Sequence, residues 1–198
     1  GGLKFDEKNR SQKQFNPLLA KAGQGSPSNP QTLAEMKDPT GRNHAAFPYL
    51  SESTGKFYII GGDENFPWGV MATKGKPSNP RGAYHFLDFT DPENPKEDAI
   101  YEVPEAGSHN LWIHGDMLLA GNYQGGLRVV DISGDLLGDI YKQGREIAHY
   151  LSYHKDGRIA NAPMVWGAQP YKDYIFFSDM NSGLYCVELV EEPSNSTD

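Results

Sequence analysis

Two histidines hold the same place in two copies of one pattern. His44 stands three residues before Phe47 in His-Ala-Ala-Phe, and His109 three residues before Trp112 in His-Asn-Leu-Trp. Neutral imidazole nitrogens are good ligands for Cu, Zn and Fe, so equivalent histidines gathered from neighbouring repeats would form a transition-metal centre. A third copy breaks the series, with Pro163 where a histidine would precede Trp166. Two imidazoles alone make a poor site. The structural alternative is that each one bonds a carbonyl of the next repeat and locks the two together. His44 and His109 are therefore the metal candidates, and no other cofactor is implied.

Other polar residues recur without pointing to chemistry. Asp63, Asn122 and Asp179 each end an apolar run, where a short Asx side chain can bond its own turn. Asp88, Asp131 and Glu188 recur inside the following run, and an acid kept there would need a backbone N–H from a neighbouring repeat. The other histidines have no recurring place: His85 reads as packed, and His114, His149 and His154 as surface groups. The spacing of alternate oxygen ligands that calcium loops use is absent. No nucleophile elbow, phosphate loop or dinucleotide motif occurs. Gly121 to Gly126 is glycine-rich but leads into a strand, so it offers no helix N-terminus to a phosphate.

The elements that must position these residues are strands. Ser108 to Ser133 holds two apolar runs, 117–120 and 127–132, on either side of Gly121-Asn-Tyr-Gln-Gly-Gly126, which reads as a β-hairpin. The hairpin recurs without a gap at 173–189, more loosely at 56–63 with 82–90, and in part at Gly1–Asp6. The aligned glycines Gly82, Gly126 and Gly183 lie 44 and 57 residues apart. Paired strands at a period in the forties to fifties predict an all-β fold, a β-propeller of four-stranded blades. The chain would cover about three blades plus one orphan strand. Its parts are a strand of a preceding blade (1–6), a polar insertion (7–40), blades at 41–107, 108–161 and 162–189, and a polar tail (190–198). Three blades do not close a ring, so further blades are expected in the native protein. Short helical turns are expected at 31–37 and within 134–144.

Gly125-Gly-Leu-Arg-Val-Val-Asp-Ile-Ser133, preceded by His-Asn-Leu-Trp, resembles the LVIVD-repeat family, as does Ser178-Asp-Met-Asn-Ser-Gly-Leu-Tyr-Cys-Val-Glu-Leu189. The resemblance covers about 41–189. It implies a β-propeller and an extracytoplasmic setting (periplasmic, cell-surface or secreted), and it carries no established reaction.

The 198 residues include 22 glycines, 14 prolines, 11 tyrosines, 9 phenylalanines and 3 tryptophans, a composition suited to many short strands packed face to face. The net charge of −8 argues against a nucleic-acid partner. No apolar run is long enough to span a bilayer. Cys186, the single cysteine, reads as a small buried hydrophobe within a strand. The 64–80 excursion offers Phe66, Trp68 and Met71 as candidate partner-binding residues. The expected function is that of a noncatalytic scaffold binding proteins through its loops. The alternative is a metal-dependent oxidoreductase with a histidine-ringed site at the channel mouth. Carbohydrate binding through Trp68, Trp112 and Trp166 is a third reading, opposed by the repeated places of Trp112 and Trp166, which suit packing between blades.

Overall fold

The computed structural model describes residues 32, 34–37, 39–40, 43–64 and 82–190. Phe66, Trp68 and Met71, the Gly1–Asp6 partial repeat and the 190–198 tail beyond Val190 lie outside the described residues. Among those described there are twelve strands and no helix. The helical turns expected at 31–37 and 134–144 do not form in the described residues. The second segment is instead a run of turns whose Leu136 and Ile140 insert fully into the core.

The strands form three sheets. The first runs β1 (Asn43–Leu50), β2 (Phe57–Asp63), β3 (Ala83–Asp88), β4 (Lys96–Glu102) and the two-residue β8 (Gly138–Asp139). The second runs β5 (Leu111–His114), β6 (Met117–Gly121), β7 (Leu127–Asp131) and β9 (Glu146–Tyr150). The third runs β10 (Val165–Tyr171), β11 (Tyr174–Asp179) and β12 (Gly183–Glu188). All pairings are antiparallel except β4 with β8, and no sheet closes on itself. The strand β8 is contributed by the loop after β7, so the second repeat clasps the outer edge of the first sheet.

Burial follows from the order of the sheets. The middle sheet is covered on both faces, and β6 is correspondingly apolar at every position. Leu118, Ala120 and Val130 pack into a core with Tyr58, Ile60, Tyr84 and Phe86 of the first sheet. Leu119, Leu127 and Val129 pack into a second core with Val165, Ala168, Ile175 and Phe177 of the third. The third sheet has one covered face, so β11 alternates, with Ile175, Phe177 and Asp179 buried.

Cys186 stands on the other face and is exposed, against the expectation of burial. The reason is parity: Tyr185 and Val187 point to the second sheet, so Cys186 points away with Leu184, 75% exposed, and Phe176.

Tyrosines tie the first sheet to the second. Tyr49 donates its hydroxyl to Asp116 at 2.5 Å, Tyr84 to the Gly121 carbonyl at 2.7 Å and Tyr101 to Glu146 at 2.6 Å. Burial raises the pKa of all three phenols, so they stay protonated and keep donating. Each ring supplies apolar area while its hydroxyl finds an acceptor on the facing sheet, which satisfies a group that would otherwise be costly to bury.

Among the recurring acids Asp88 and Asp131 act locally, whereas Asp63 takes Thr40, Ala83 N–H and His85 as partners. Asp88 and Asp131 each accept the backbone N–H two residues on, from Thr90 and Ser133, and not one from a neighbouring sheet. Asp179 accepts from the N–H groups of Asn181 and Ser182 in its own turn, and also from Met164 N–H and the Ser152 hydroxyl.

Candidate metal centre

The first strands of the three sheets, β1, β5 and β10, lie side by side, β1 next to β5 and β5 next to β10. His44 is on β1, His109 two residues before β5, and Trp166 on β10. The register puts Trp166, and not Pro163 as the sequence pattern suggested, at the place of His44 and His109, because Ala45 pairs with Gly62, Gly167 with Ser178, and Gly121 N–H bonds the Asn110 carbonyl; equivalent places therefore meet. The imidazole centroids of His44 and His109 are 4.4 Å apart, and the His109 ring stacks on the Trp166 indole at 5.2 Å and 16°.

Backbone close approach makes this meeting possible. Gly121 sits where a Cβ would lie 2.5 Å from the Trp166 carbonyl oxygen, so only glycine lets the second sheet come this near to β10. That carbonyl accepts from Asn110 N–H at 2.9 Å and meets His109 Nδ1 at 3.0 Å. The bond from an imidazole to the next sheet's carbonyl, expected as the structural role of these histidines, is thus present at His109.

Glu64, directly after β2, completes the cluster, and sequence reasoning missed it. One carboxylate oxygen lies 3.3 Å from His44 Nδ1 and the other 3.8 Å from His109 Nε2. Donor atoms of all three side chains fall within 4.8 Å of one another. Tyr123, 1% exposed, donates its hydroxyl to Glu64 at 2.8 Å and stands edge-on to the His109 ring. Its own backbone is fixed by two bonds to Val165 and adopts a positive φ of 43°, uncommon for a bulky residue. No spacing rule joins Glu64 or Tyr123 to the histidine pattern. The only available signal was that Glu64 and Tyr123 each follow the recurring Asx residue at a strand end.

The hydrogen bonds set the tautomers. The Trp166 carbonyl can only accept, so His109 Nδ1 carries the proton and Nε2 keeps a lone pair facing Glu64. His44 Nε2 meets Asn110 Oδ1 at 3.2 Å, which leaves its Nδ1 lone pair facing Glu64 as well. Burial, with the nearby His44, lowers the pKa of His109, which favours the neutral ring. Two imidazole lone pairs and a carboxylate thus converge on one point, an arrangement that asks for a proton or a cation.

His44 also lies on the wall of a groove of about 630 Å³ lined by all three sheets, with Phe47, Trp112, Gln169, Phe176 and Leu184. Trp112 and Trp166 are 36% and 40% exposed, and each packs on a ring of the preceding sheet's inner segment, Phe47 and His109 respectively. His114, His149 and His154 are exposed and stand apart from the cluster. His85 is buried in an ion pair with Asp63 and Glu97.

No family model matches the chain, and no curated protein matches it. Among solved structures, the AfRom2 CNH domain is similar at a TM-score of 0.42 and 11% identity, covering 79% of this chain and 44% of that one. A computationally designed protein, Ika4, is similar at 0.37 and 10%, covering 81% and 99%. The chain thus spans less than half the length of the CNH-domain structure.

Proposed function

We propose that the chain is a noncatalytic β-propeller module of an exported or envelope protein, presenting its loop surfaces to protein partners. The observation that carries this reading is the open face of the third sheet. Tyr174, Phe176, Ser178, Leu184 and Cys186 occupy the repeat places of Met117, Leu119, Gly121, Leu127 and Val129. Those second-sheet residues form the face that the third sheet covers, with Leu119, Leu127 and Val129 in its core. The third sheet therefore exposes a face of the kind on which another sheet stacks, as expected for blades continuing around an axis. A contiguous apolar surface of this sort marks a place of association.

Leu184→Arg tests the reading in two settings. In the 198-residue chain Leu184 is 75% exposed, and the substitution should leave the melting temperature unchanged. In the full-length native protein a further blade would bury the arginine, and the variant should melt well below the wild type. An unchanged melting temperature in the native protein would mean that the stack ends at this sheet.

A metal-dependent oxidoreductase is the second reading, favoured by the convergence of His44, Glu64 and His109. It requires, before any reaction, that the cluster take a metal.

A further inference from the structure

We propose that His44 Nδ1, Glu64 and His109 Nε2 form a site for one divalent transition metal ion, which joins the first sheet to the second. The inference rests on the cluster and is independent of the partner-binding reading above.

Donor chemistry selects the metal. Two imidazole nitrogens and one carboxylate suit Zn(II), Fe(II), Co(II) and Cu(II), whereas Ca(II) and Mg(II) take oxygen ligands almost throughout. Metal–donor bonds of about 2.0–2.2 Å place tetrahedral donors roughly 3.3–3.6 Å apart. The carboxylate-to-imidazole separations, one to each carboxylate oxygen, are 3.3 and 3.8 Å, and the three donor atoms lie within 4.8 Å of one another. Closing the remaining distance requires side-chain adjustment of Glu64 and His44, whose side chains are 42% and 31% exposed and have room to move toward the buried His109.

The surroundings of the ligands resemble those of built metal sites. Ligating histidines characteristically donate their second ring N–H to an oxygen, which fixes ring orientation and raises basicity. His109 does so to the Trp166 carbonyl and His44 to Asn110 Oδ1. The carboxylate is held in turn by the Tyr123 hydroxyl. Every ligand is thus oriented by a group that does not itself bind the metal. Three protein donors leave at least one coordination position open, which is the pattern of a reactive or exchangeable site more than of a closed structural one.

The ligands come from two sheets, and the His109 orienting bond reaches a third. Metal binding should therefore tighten the packing of all three sheets at their inner ends.

Co(II) is the probe, titrated into the metal-stripped 198-residue chain and followed by its visible ligand-field absorption. Binding should saturate at one equivalent, and Zn(II) should displace it. Glu64→Gln and His44→Ala should each weaken binding at least tenfold with an unchanged far-UV circular dichroism spectrum. His149→Ala, on the exposed surface beside Glu146, should leave it intact. Imidazole nitrogen resonances should report Zn(II) on Nε2 of His109 and Nδ1 of His44. The proposal is overturned if the wild-type chain takes no stoichiometric Co(II). It is also overturned if Glu64→Gln and His44→Ala bind as the wild type does, if binding is lost with His149, or if the opposite ring nitrogens shift.

Discussion

The His85 ion pair predicts a loss of stability on the alkaline side of neutrality. His85 is 3% exposed, with Nδ1 2.5 Å from Glu97 and Nε2 3.4 Å from Asp63. Both ring nitrogens face carboxylates, so both should carry protons. Burial works against that charge, but the hydrogen bonds to Asp63 and Glu97 outweigh it and push the pKa up to about 9. An unfolded histidine titrates near 6.5, so the shift corresponds to about 3 kcal/mol at 1.36 kcal/mol per unit. The sign follows from the raised folded value. The contribution is complete below about pH 6.5, declines as pH rises, and is gone above about pH 9. Urea unfolding followed by tryptophan fluorescence at both ends of that window measures it. The wild type should lose about 3 kcal/mol between them. His85→Gln should be less stable at the acidic end and nearly flat across the window, so the difference between the two chains isolates this residue. A wild-type stability that stays constant to within about 1 kcal/mol would refute the reasoning, because it would mean that His85 is neutral throughout.

Two further perturbations test the joints between sheets. Tyr101→Phe removes the donor to Glu146, leaving that carboxylate to Arg128 and His149, and should cost about 1–3 kcal/mol in urea unfolding. Gly121→Ala places a methyl 2.5 Å from the Trp166 carbonyl oxygen, a backbone atom that cannot swing aside, and should cost about 1–3 kcal/mol or more by the same measure. At the acidic end, the Asp63 carboxyl is held below its usual range: burial opposes this, but hydrogen bonds from His85, Thr40 and Ala83 N–H prevail. Its contribution should be lost as pH falls below about 4, and Asp63→Asn should remove that part of the acid transition.

The hairpins were legible in the sequence because their signal is local. Asp116–Asn122 and Asp173–Asp179 align without a gap, and both become the middle strands β6 and β11 with matching registers to β7 and β12. The outer strand β9 was legible for the same reason. The facing of the sheets was not. Cys186 sits in an apolar run, and nothing within seven residues says whether the next sheet covers its face. The tyrosine bonds to Asp116, Gly121 and Glu146 also escaped, because each spans between 37 and 67 residues and joins positions that no repeat pairs. In the site, the repeat located His44 and His109 at one place, and the structure sets their rings in contact. Glu64 lies outside the repeated histidine position, so periodicity alone could find two ligands but not three. The clasp of β8 on β4 was unreadable because two residues of parallel pairing leave no pattern.

One carbonyl joins the stacking of the sheets to the chemistry of the site. Trp166 C=O accepts from Asn110 N–H, fixes the His109 tautomer, and rests against Gly121. Any change that moves this oxygen must disturb both the third sheet's seat on the second and the direction of the His109 lone pair. The two effects are then linked thermodynamically. If metal binds only the packed state, ligand at a hundred times its dissociation constant should add about 2.7 kcal/mol to stability. Gly121→Ala lies about one residue's reach from the site yet touches no ligand side chain. It should weaken Zn(II) binding, and by reciprocity Zn(II) should restore less stability to that variant than to the wild type at the same concentration. Paired thermal melts with and without Zn(II) measure both quantities. Equal stabilisation of the two chains would separate the metal from the sheet junction, and the carbonyl would then be a packing contact only.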